Sequence, residues 1–292
     1  MTDPAPGSMS GRTVVITGST SGIGYAAAAA LGAAGATVVV HGRDSRRTAA
    51  AARQLGAAGA GRFVPVAADL GSLSGVRAFA EQVGAAAPGG VHVLLNNAGG
   101  GFADRELSPD GVERSFALNH IAVAAVTHRL FDGLRAGAES AGVPSRVIVT
   151  SSFMERRGDP NLDDWSYERK FRQVAAYCDA KLAALAYSYA LARRWEGSGI
   201  TVNAADPGAV ATRFGVAAGG LFRVIQTVGR PFMTGARSGA APLVRLATDP
   251  ESAHTTGGYH NRNGFARSSS ASRDPEFGAR VVERTAAIVG VD

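Results

Sequence analysis

Six short apolar runs rich in β-branched residues recur along this chain, with Ala-rich stretches of helical character between them. The runs predict strands at Thr13–Thr17, Thr37–His41, Arg62–Ala67, Val91–Asn96, Arg146–Thr150 and Ile200–Ala205. The stretches between predict helices at Gly22–Ala34, Ser45–Ala57, Ser74–Ala87, Gly111–Ala136 and Val174–Gly197. Val38-Val39-Val40 and Val147-Ile148-Val149 are continuously apolar, as strands covered on both faces are. Strand–helix alternation at this spacing implies right-handed crossovers and a parallel sheet. The expected class is therefore α/β, a single-domain doubly wound parallel sheet with helices on both faces.

Length and composition agree with one domain. The chain has 292 residues, 46% hydrophobic and 18% charged, enough for a sizeable core. No run approaches the ~20 apolar residues that span a bilayer. Residues 1–10 are polar, carry no secretory apolar region and read as a flexible extension; the domain occupies 11–292. A single cysteine, Cys178, rules out an internal disulfide and fits a reducing, cytoplasmic setting. It reads as a packing residue, not a nucleophile. The formal charge is +6, but the arginines are dispersed without interleaved aromatics, which argues against nucleic acid. His120 and His128 lack metal-ligand spacing, so no metal is expected.

The first strand runs into Thr17-Gly18-Ser19-Thr20-Ser21-Gly22-Ile23-Gly24, and a helix follows. Glycines at this turn allow a tight bend and close approach of backbone to a pyrophosphate, while the helix N-terminus supplies donors and partial positive charge. The turn thus predicts a dinucleotide on a Rossmann-type sheet, held by Gly18, Ser19, Ser21, Gly22, Ile23 and Gly24. At the end of the second strand an NAD-selective site would place a carboxylate. This chain has Gly42 and then Arg43, and a guanidinium fork suits a 2′-phosphate. NADP(H) is the preferred cofactor; Asp44, which could contact the ribose, keeps NAD(H) open. Asp69, followed by Leu70, is placed to meet the adenine, or alternatively to cap a helix. Asn96-Asn97-Ala98-Gly99 closes the fourth strand, with Asn97, Ala98 and Gly99 as further contacts.

Tyr177 and Lys181 are four apart in a helical stretch and so share a face. Lysine is scarce: Lys170 and Lys181 are the only two. An ammonium about 4 Å from a phenol at an effective dielectric of ~20 contributes about 4 kcal/mol, enough to bring a tyrosine from about 10 to about 7.

The glycine turn, Asp69, Asn96-Asn97-Ala98-Gly99, Asn119, Ser151-Ser152, Tyr177/Lys181 and Asp206-Pro207-Gly208 together resemble the short-chain dehydrogenase/reductase family, in order and spacing, over about residues 11–260. Phe116-Ala117-Leu118-Asn119-His120, Ala176-Tyr177-Cys178 and the long gap from Ser152 to Tyr177 are most similar to its retinol-dehydrogenase-like branch. The resemblance implies that Tyr177 is the general acid/base and that Lys181 tunes it and holds the nicotinamide ribose. Ser152 would polarise the substrate carbonyl, with Ser151 as a structural partner, and Asn119 would hold a water. Pro207, Gly208, Val210 and Thr212 would wrap the nicotinamide carboxamide. The implied reaction is hydride transfer to a ketone or aldehyde, or from the alcohol. A carbon–carbon double-bond reductase and a non-catalytic nucleotide sensor are the alternatives.

Two segments break the strand–helix rhythm. Arg213–Arg237, rich in glycine and apolar side chains, reads as a substrate lid. The insertion Phe153–Gln173 offers Trp165, Tyr167 and Phe171 as pocket walls. Both point to a bulky lipophilic small-molecule substrate, such as a polyketide, terpenoid, steroid-like or retinoid-like carbonyl. Membrane contact is not favoured. Subunit number stays open, with a homodimer or homotetramer possible, since the resemblance implies pairing through helices matching Gly111–Ala136 and Val174–Gly197.

Overall fold

All six predicted strands form and lie parallel in one sheet: β1 (Thr13–Ile16), β2 (Thr37–Gly42), β3 (Arg62–Ala67), β4 (Val93–Asn96), β5 (Ser145–Thr150) and β6 (Ile200–Ala205). The structure is a computed structural model that describes residues 4–58, 61–211, 219–229, 231 and 233–290. Two short strands extend the sheet. β7 (Tyr259–Asn261) pairs parallel to β6, and β8 (Gly264–Phe265) folds back antiparallel. The order β3-β2-β1-β4-β5-β6-β7-β8 changes direction between β1 and β4. At such a switch point the loops leaving adjacent strands diverge and open a crevice at their carboxyl ends.

Alternate strand residues serve opposite faces, as the pleat requires. Val14, Ile16, Val38 and Leu95 pack with α1 (Gly22–Ala33) and the late helix Ala236–Thr248 through Leu31, Leu243 and Leu246. Val15, Val39, Leu94 and Val147 pack on the other face, with Phe79 of the helix Leu73–Ala86, Phe116, and Ala183 of the long helix Gln173–Arg194. The helix Ser45–Ala58 follows β2, and Pro275–Val289 closes the fold against Gln173–Arg194. No described helix is long and apolar enough to cross a membrane.

Three local expectations are corrected. The extension 1–10 is docked at its end: Met9 is buried against the first core layer and its N–H donates to Ala34 O at 2.9 Å. Its apolar side chain joins the core cluster that holds Leu31 and Ala34. The helix expected over Gly111–Ala136 begins at Arg114, capped by the Glu113 carboxylate. It widens into a π turn at Ala117–Ile121, resumes as Ala122–Arg129, and yields to a second helix, Phe131–Ala141, at Leu130. Trp165 is a core residue, not a pocket wall; it is 2% exposed and stacks on Phe116 with ring centroids 4.6 Å apart. Tyr167 packs at the edge of the same cluster. Aromatic side chains of the insertion thus fill the space over the helix at residue 116.

Candidate active site

The glycine turn is locked to the end of β4. The Thr17 hydroxyl accepts from the N–H groups of Asn97 and Ala98, both at 2.9 Å, and Asn97 Nδ2 donates to Thr17 O at 2.9 Å. Gly18 and Gly22 have φ of 67° and 61°, in the left-handed region. A Cβ at Gly18 would lie 2.9 Å from Ala98 Cα, and one at Gly24 2.5 Å from Asn97 Nδ2. Ser21 precedes α1 in extended conformation, and its side chain makes no cap bond, leaving first-turn donors of α1 for an anion. Ile23 and Val210 meet across Gly239, where a Cβ would lie 3.2 Å from Ile23 Cγ1 and 2.6 Å from Val210 Cγ2. These features fit the pyrophosphate cradle expected of a dinucleotide site.

Ser19 departs from expectation. Its hydroxyl is buried, donates to Ile16 O at 2.8 Å and accepts from His41 N at 2.9 Å, so its side chain stitches β1 to β2. His41, absent from the expected site, holds the turn from below. Its Nδ1 accepts from Gly18 N–H at 3.0 Å, which leaves Nε2–H to donate to Ala68 O at 3.0 Å. Burial pushes the ring down to about 4 and keeps it neutral.

At the adenosine end, Gly42 has no room for a side chain. A Cβ there would lie 2.5 Å from Thr20 Cγ2 and 2.6 Å from Thr48 Oγ1. Asp44 is committed locally: its Oδ1 accepts from Arg47 N–H at 2.8 Å at the start of the following helix. Arg43 is exposed. Asp69 is exposed and accepts from Gly71 N–H at 3.0 Å, whereas Leu70 is a core residue whose backbone alone is left for a ligand.

The catalytic candidates converge at the ends of β4 and β5. Asn119 sits in the π turn; its Nδ2 donates to Ser115 O and Gly100 O, both at 2.6 Å, and its Oδ1 accepts from Gly100 N–H at 3.3 Å. The side chain thus serves Ser115 and Gly100 within the protein. A Cβ on Gly99 would lie 2.7 Å from Asn119 Oδ1 and 3.6 Å from Lys181 Nζ, so glycine there keeps a floor open between them. Lys181 is buried and donates to Thr150 O at 2.8 Å. Ser152 shares a hydrogen bond with the Tyr177 phenol and accepts from Met154 N–H at 3.2 Å. Ser151 is buried beside it and takes no part in that pair. Met154 and Val174 pack on Tyr177.

The insertion is fastened to the catalytic helix two residues from Tyr177. Asp179 accepts from Asp159 N–H at 2.7 Å and from the Tyr167 hydroxyl at 2.6 Å. A Cβ at Gly158 would lie 2.7 Å from Cys178 O, so the insertion lies flush on the helix. Cys178 is buried and burial raises its thiol to about 11, as befits a packing residue.

The electrostatics differ from the simple pair estimate. Burial raises the Tyr177 phenol above its ordinary range, and the Ser152 hydrogen bond offsets only part of this. Lys181 stands 5.8 Å from the Tyr177 ring centroid with its ammonium turned to Thr150 O, and burial brings it down to about 8. Desolvation therefore outweighs the attraction that would carry Tyr177 to about 7. Pro207 is buried, and Gly208 adopts φ 74° with its N–H donated to Asp206. Thr212 lies outside the described residues, as does 213–218 of the expected lid.

The family model for short chain dehydrogenase matches residues 12–219. Human retinol dehydrogenase 13 is 32% identical over 99% of this chain and 88% of its own length. A proposed daunorubicin C-13 ketoreductase, DnrU, of Streptomyces sp. strain C5 is 34% identical over 99% of both chains. The structure of Pseudomonas aeruginosa RhlG, an active-site complex with NADP, superposes with a TM-score of 0.70 and 26% identity, covering 94% of this chain and 99% of that one. With the locked glycine turn and the Ser152–Tyr177–Lys181 grouping, these likenesses establish that the chain is an oxidoreductase belonging to the short-chain dehydrogenase/reductase family, in its retinol-dehydrogenase-like branch.

Proposed function

We propose that the protein is an NADP(H)-dependent oxidoreductase that reduces a ketone or aldehyde of a bulky lipophilic substrate, or oxidises the alcohol, with Tyr177 as general acid/base. The hydrogen bond between the Ser152 and Tyr177 hydroxyls, above a buried lysine, carries this reading. A bound nicotinamide supplies or accepts the hydride. Burial keeps the phenol protonated near neutral pH, so Tyr177 holds the proton that a forming alkoxide needs. Ser152 donates to the same oxygen, a contribution of about 3–4 kcal/mol for a preorganised donor. Lys181 stands behind the pair, positioned by Thr150 O.

The preference for a 2′-phosphate is supported by the crowding at Gly42 and by Asp44 serving its own helix. Both natural places for a ribose-binding carboxylate are thereby lost, and Arg43 is exposed beside them. The NADP in the RhlG complex accords with this choice. For the substrate, the names of the relatives point to a retinoid or an anthracycline carbonyl. Apolar Met154 and Val174 at Tyr177, with exposed Phe153 next to Ser152 and exposed Leu221 bonded through its N–H to Gln173, suit such a molecule.

The test is an incubation with NADPH and with NADH across a panel of bulky ketones and aldehydes, with product structures determined. A lower KM for NADPH and an alcohol product are expected. An NADH preference overturns the cofactor assignment, and a saturated carbon–carbon bond in the product overturns the reaction. Tyr177→Phe should retain cofactor binding and lose nearly all turnover.

A further inference from the structure

We propose that Asp206 is a positioning residue for this site: its buried carboxylate, held by Gly208 and Tyr259 one residue past the strand pair opposite the Lys181 acceptor, presents the catalytic pair with a fixed negative charge. The inference rests on the catalytic reading of that pair.

Asp206 follows β6 directly and is buried. Both oxygens are committed. Oδ1 accepts from Gly208 N–H at 2.8 Å and Oδ2 accepts from the Tyr259 hydroxyl at 3.0 Å, while the Asp206 N–H donates to His260 O at 2.7 Å. The carboxylate is thus fixed from its own turn and from β7, and both donors complement negative charge. Its place beside the reacting groups follows from strand register. Thr150 is paired with Ala205, Ser151 N–H donates to Ala205 O at 2.8 Å, and Lys181 Nζ donates to Thr150 O at 2.8 Å. Asp206 therefore begins one residue beyond the point opposite the lysine's acceptor. Its hydrogen bonds go to Gly208 and Tyr259, so it acts on Lys181 through space.

Other charges around the site are engaged elsewhere. On the catalytic helix, Cys178 also raises Tyr177, no less than Asp206 does, and Asp179 is turned to Asp159 N–H and Tyr167. Beyond Ser152, Glu155 is bonded to Ser269 and Arg156 reaches Arg267 O. On the β7 side, His260 faces Phe265, and Arg262 lies near Gly208, 3.9 Å from where a Cβ would stand. Burial acts first on both groups; the Asp206 charge adds to it on Tyr177, as the smaller influence, and opposes it on Lys181, raising each. The sign is the same for both, because an interior anion opposes phenolate and favours ammonium.

Two lysines in the whole chain make this testable without substrate or cofactor. In a Lys170→Arg background, Lys181 is the only lysine, and a protein labelled with ¹³C at lysine Cε reports its titration by NMR. Asp206→Asn keeps the shape and removes the charge. The Lys181 midpoint, near 8 with Asp206 in place, should fall by about one pH unit, a tenfold loss of proton affinity. The alkaline limb of the carbonyl-reduction profile should move the same way. Tyr259→Phe, which keeps the charge, should move both by less than half as much. A Lys181 midpoint that stays in place in Asp206→Asn overturns the proposal, as does a loss of rate equal at every pH. Should Asp206→Asn not fold, Asp206→Ser is read by the same two outcomes. If no carbonyl is turned over by the parent protein, the substrate reading fails while the NMR titration still decides the role of Asp206.

Discussion

The side chain of Gln173 grips the start of the helix Gly220–Gly229 at Leu221: Gln173 Oε1 accepts from Leu221 N–H at 2.9 Å, and its Nε2 donates to Gly219 O at 3.2 Å. Gln173 opens the catalytic helix one turn before Tyr177, and Leu221 lies in the helix Gly220–Gly229. Gly219 and Gly220 have φ of 67° and 48°, and a Cβ on Gly220 would lie 2.6 Å from Gln173 Oε1. Two hydrogen bonds of about 1 kcal/mol each hold this contact, which would close over a bulky substrate if the segment acts as a lid. Gln173→Leu should therefore raise KM for a bulky ketone by about tenfold, with a smaller change for a small carbonyl that needs no cover. Steady-state kinetics on the two substrates provide the check, and equal effects on both would place Gln173 outside substrate closure.

Gly42→Asp tests the cofactor pocket by the substitution that in an open site would favour NADH. Thr20 and Thr48 leave no space for the new Cβ, so the turn must shift. The variant should lose about 1–3 kcal/mol of stability, as overpacked sites do, and gain nothing with NADH. Thermal unfolding and KM for both cofactors measure this. An improved kcat/KM for NADH in a stable variant would show that the crowding is relieved at no cost.

Acid should weaken the fold through two buried histidines. His41 is held near 4 and His120 near 3 by burial, against 6.5 in the unfolded chain. Between pH 6.5 and about 4 the unfolded chain binds more protons, so stability is full above 6.5 and falls as pH drops through this window. Each histidine contributes up to about 1.4 kcal/mol per pH unit. Urea unfolding at pH 7, 6 and 5 should show the decline, and a flat response across that range would contradict the burial of both rings.

Strands β1 to β6 were legible because their apolar runs are long and continuous, and the glycine turn because its spacing is dictated by backbone geometry. β7 was not, since Tyr259-His260-Asn261 is three residues long and carries no hydrophobic period. The roles of Ser19 and His41 depend on how β1 and β2 align, which no local pattern encodes. Trp165 shows the limit of reading aromatics: a ring in a charged insertion can face a ligand or the core, and only the packing against Phe116 decides. The proton affinity of Tyr177 went the other way from the pair estimate because burial is a property of the whole fold. The helix Pro275–Val289 was readable in retrospect, with Asp274 as N-cap, Pro275 at its first turn and Gly290 at φ 70° past its end.

That last helix packs on the helix Gln173–Arg194 and reaches the π turn. His120 Nε2 and the Thr285 hydroxyl are 2.7 Å apart across the contact, and Val281 is fully buried beside it. Among the described residues His120 Nδ1 has no partner, so the Thr285 bond is the one polar tie found there for a ring enclosed by Phe116, Trp165 and Tyr187. Thr285→Val keeps the shape and orphans the ring, which should cost about 1–3 kcal/mol. Cofactor KM should be unchanged, because among the described residues neither His120 nor Thr285 bonds to the glycine turn. Urea unfolding read beside KM separates the outcomes: a stability loss with intact KM supports a purely structural tie, whereas a raised KM would mean that the C-terminal helix positions the site through the π turn.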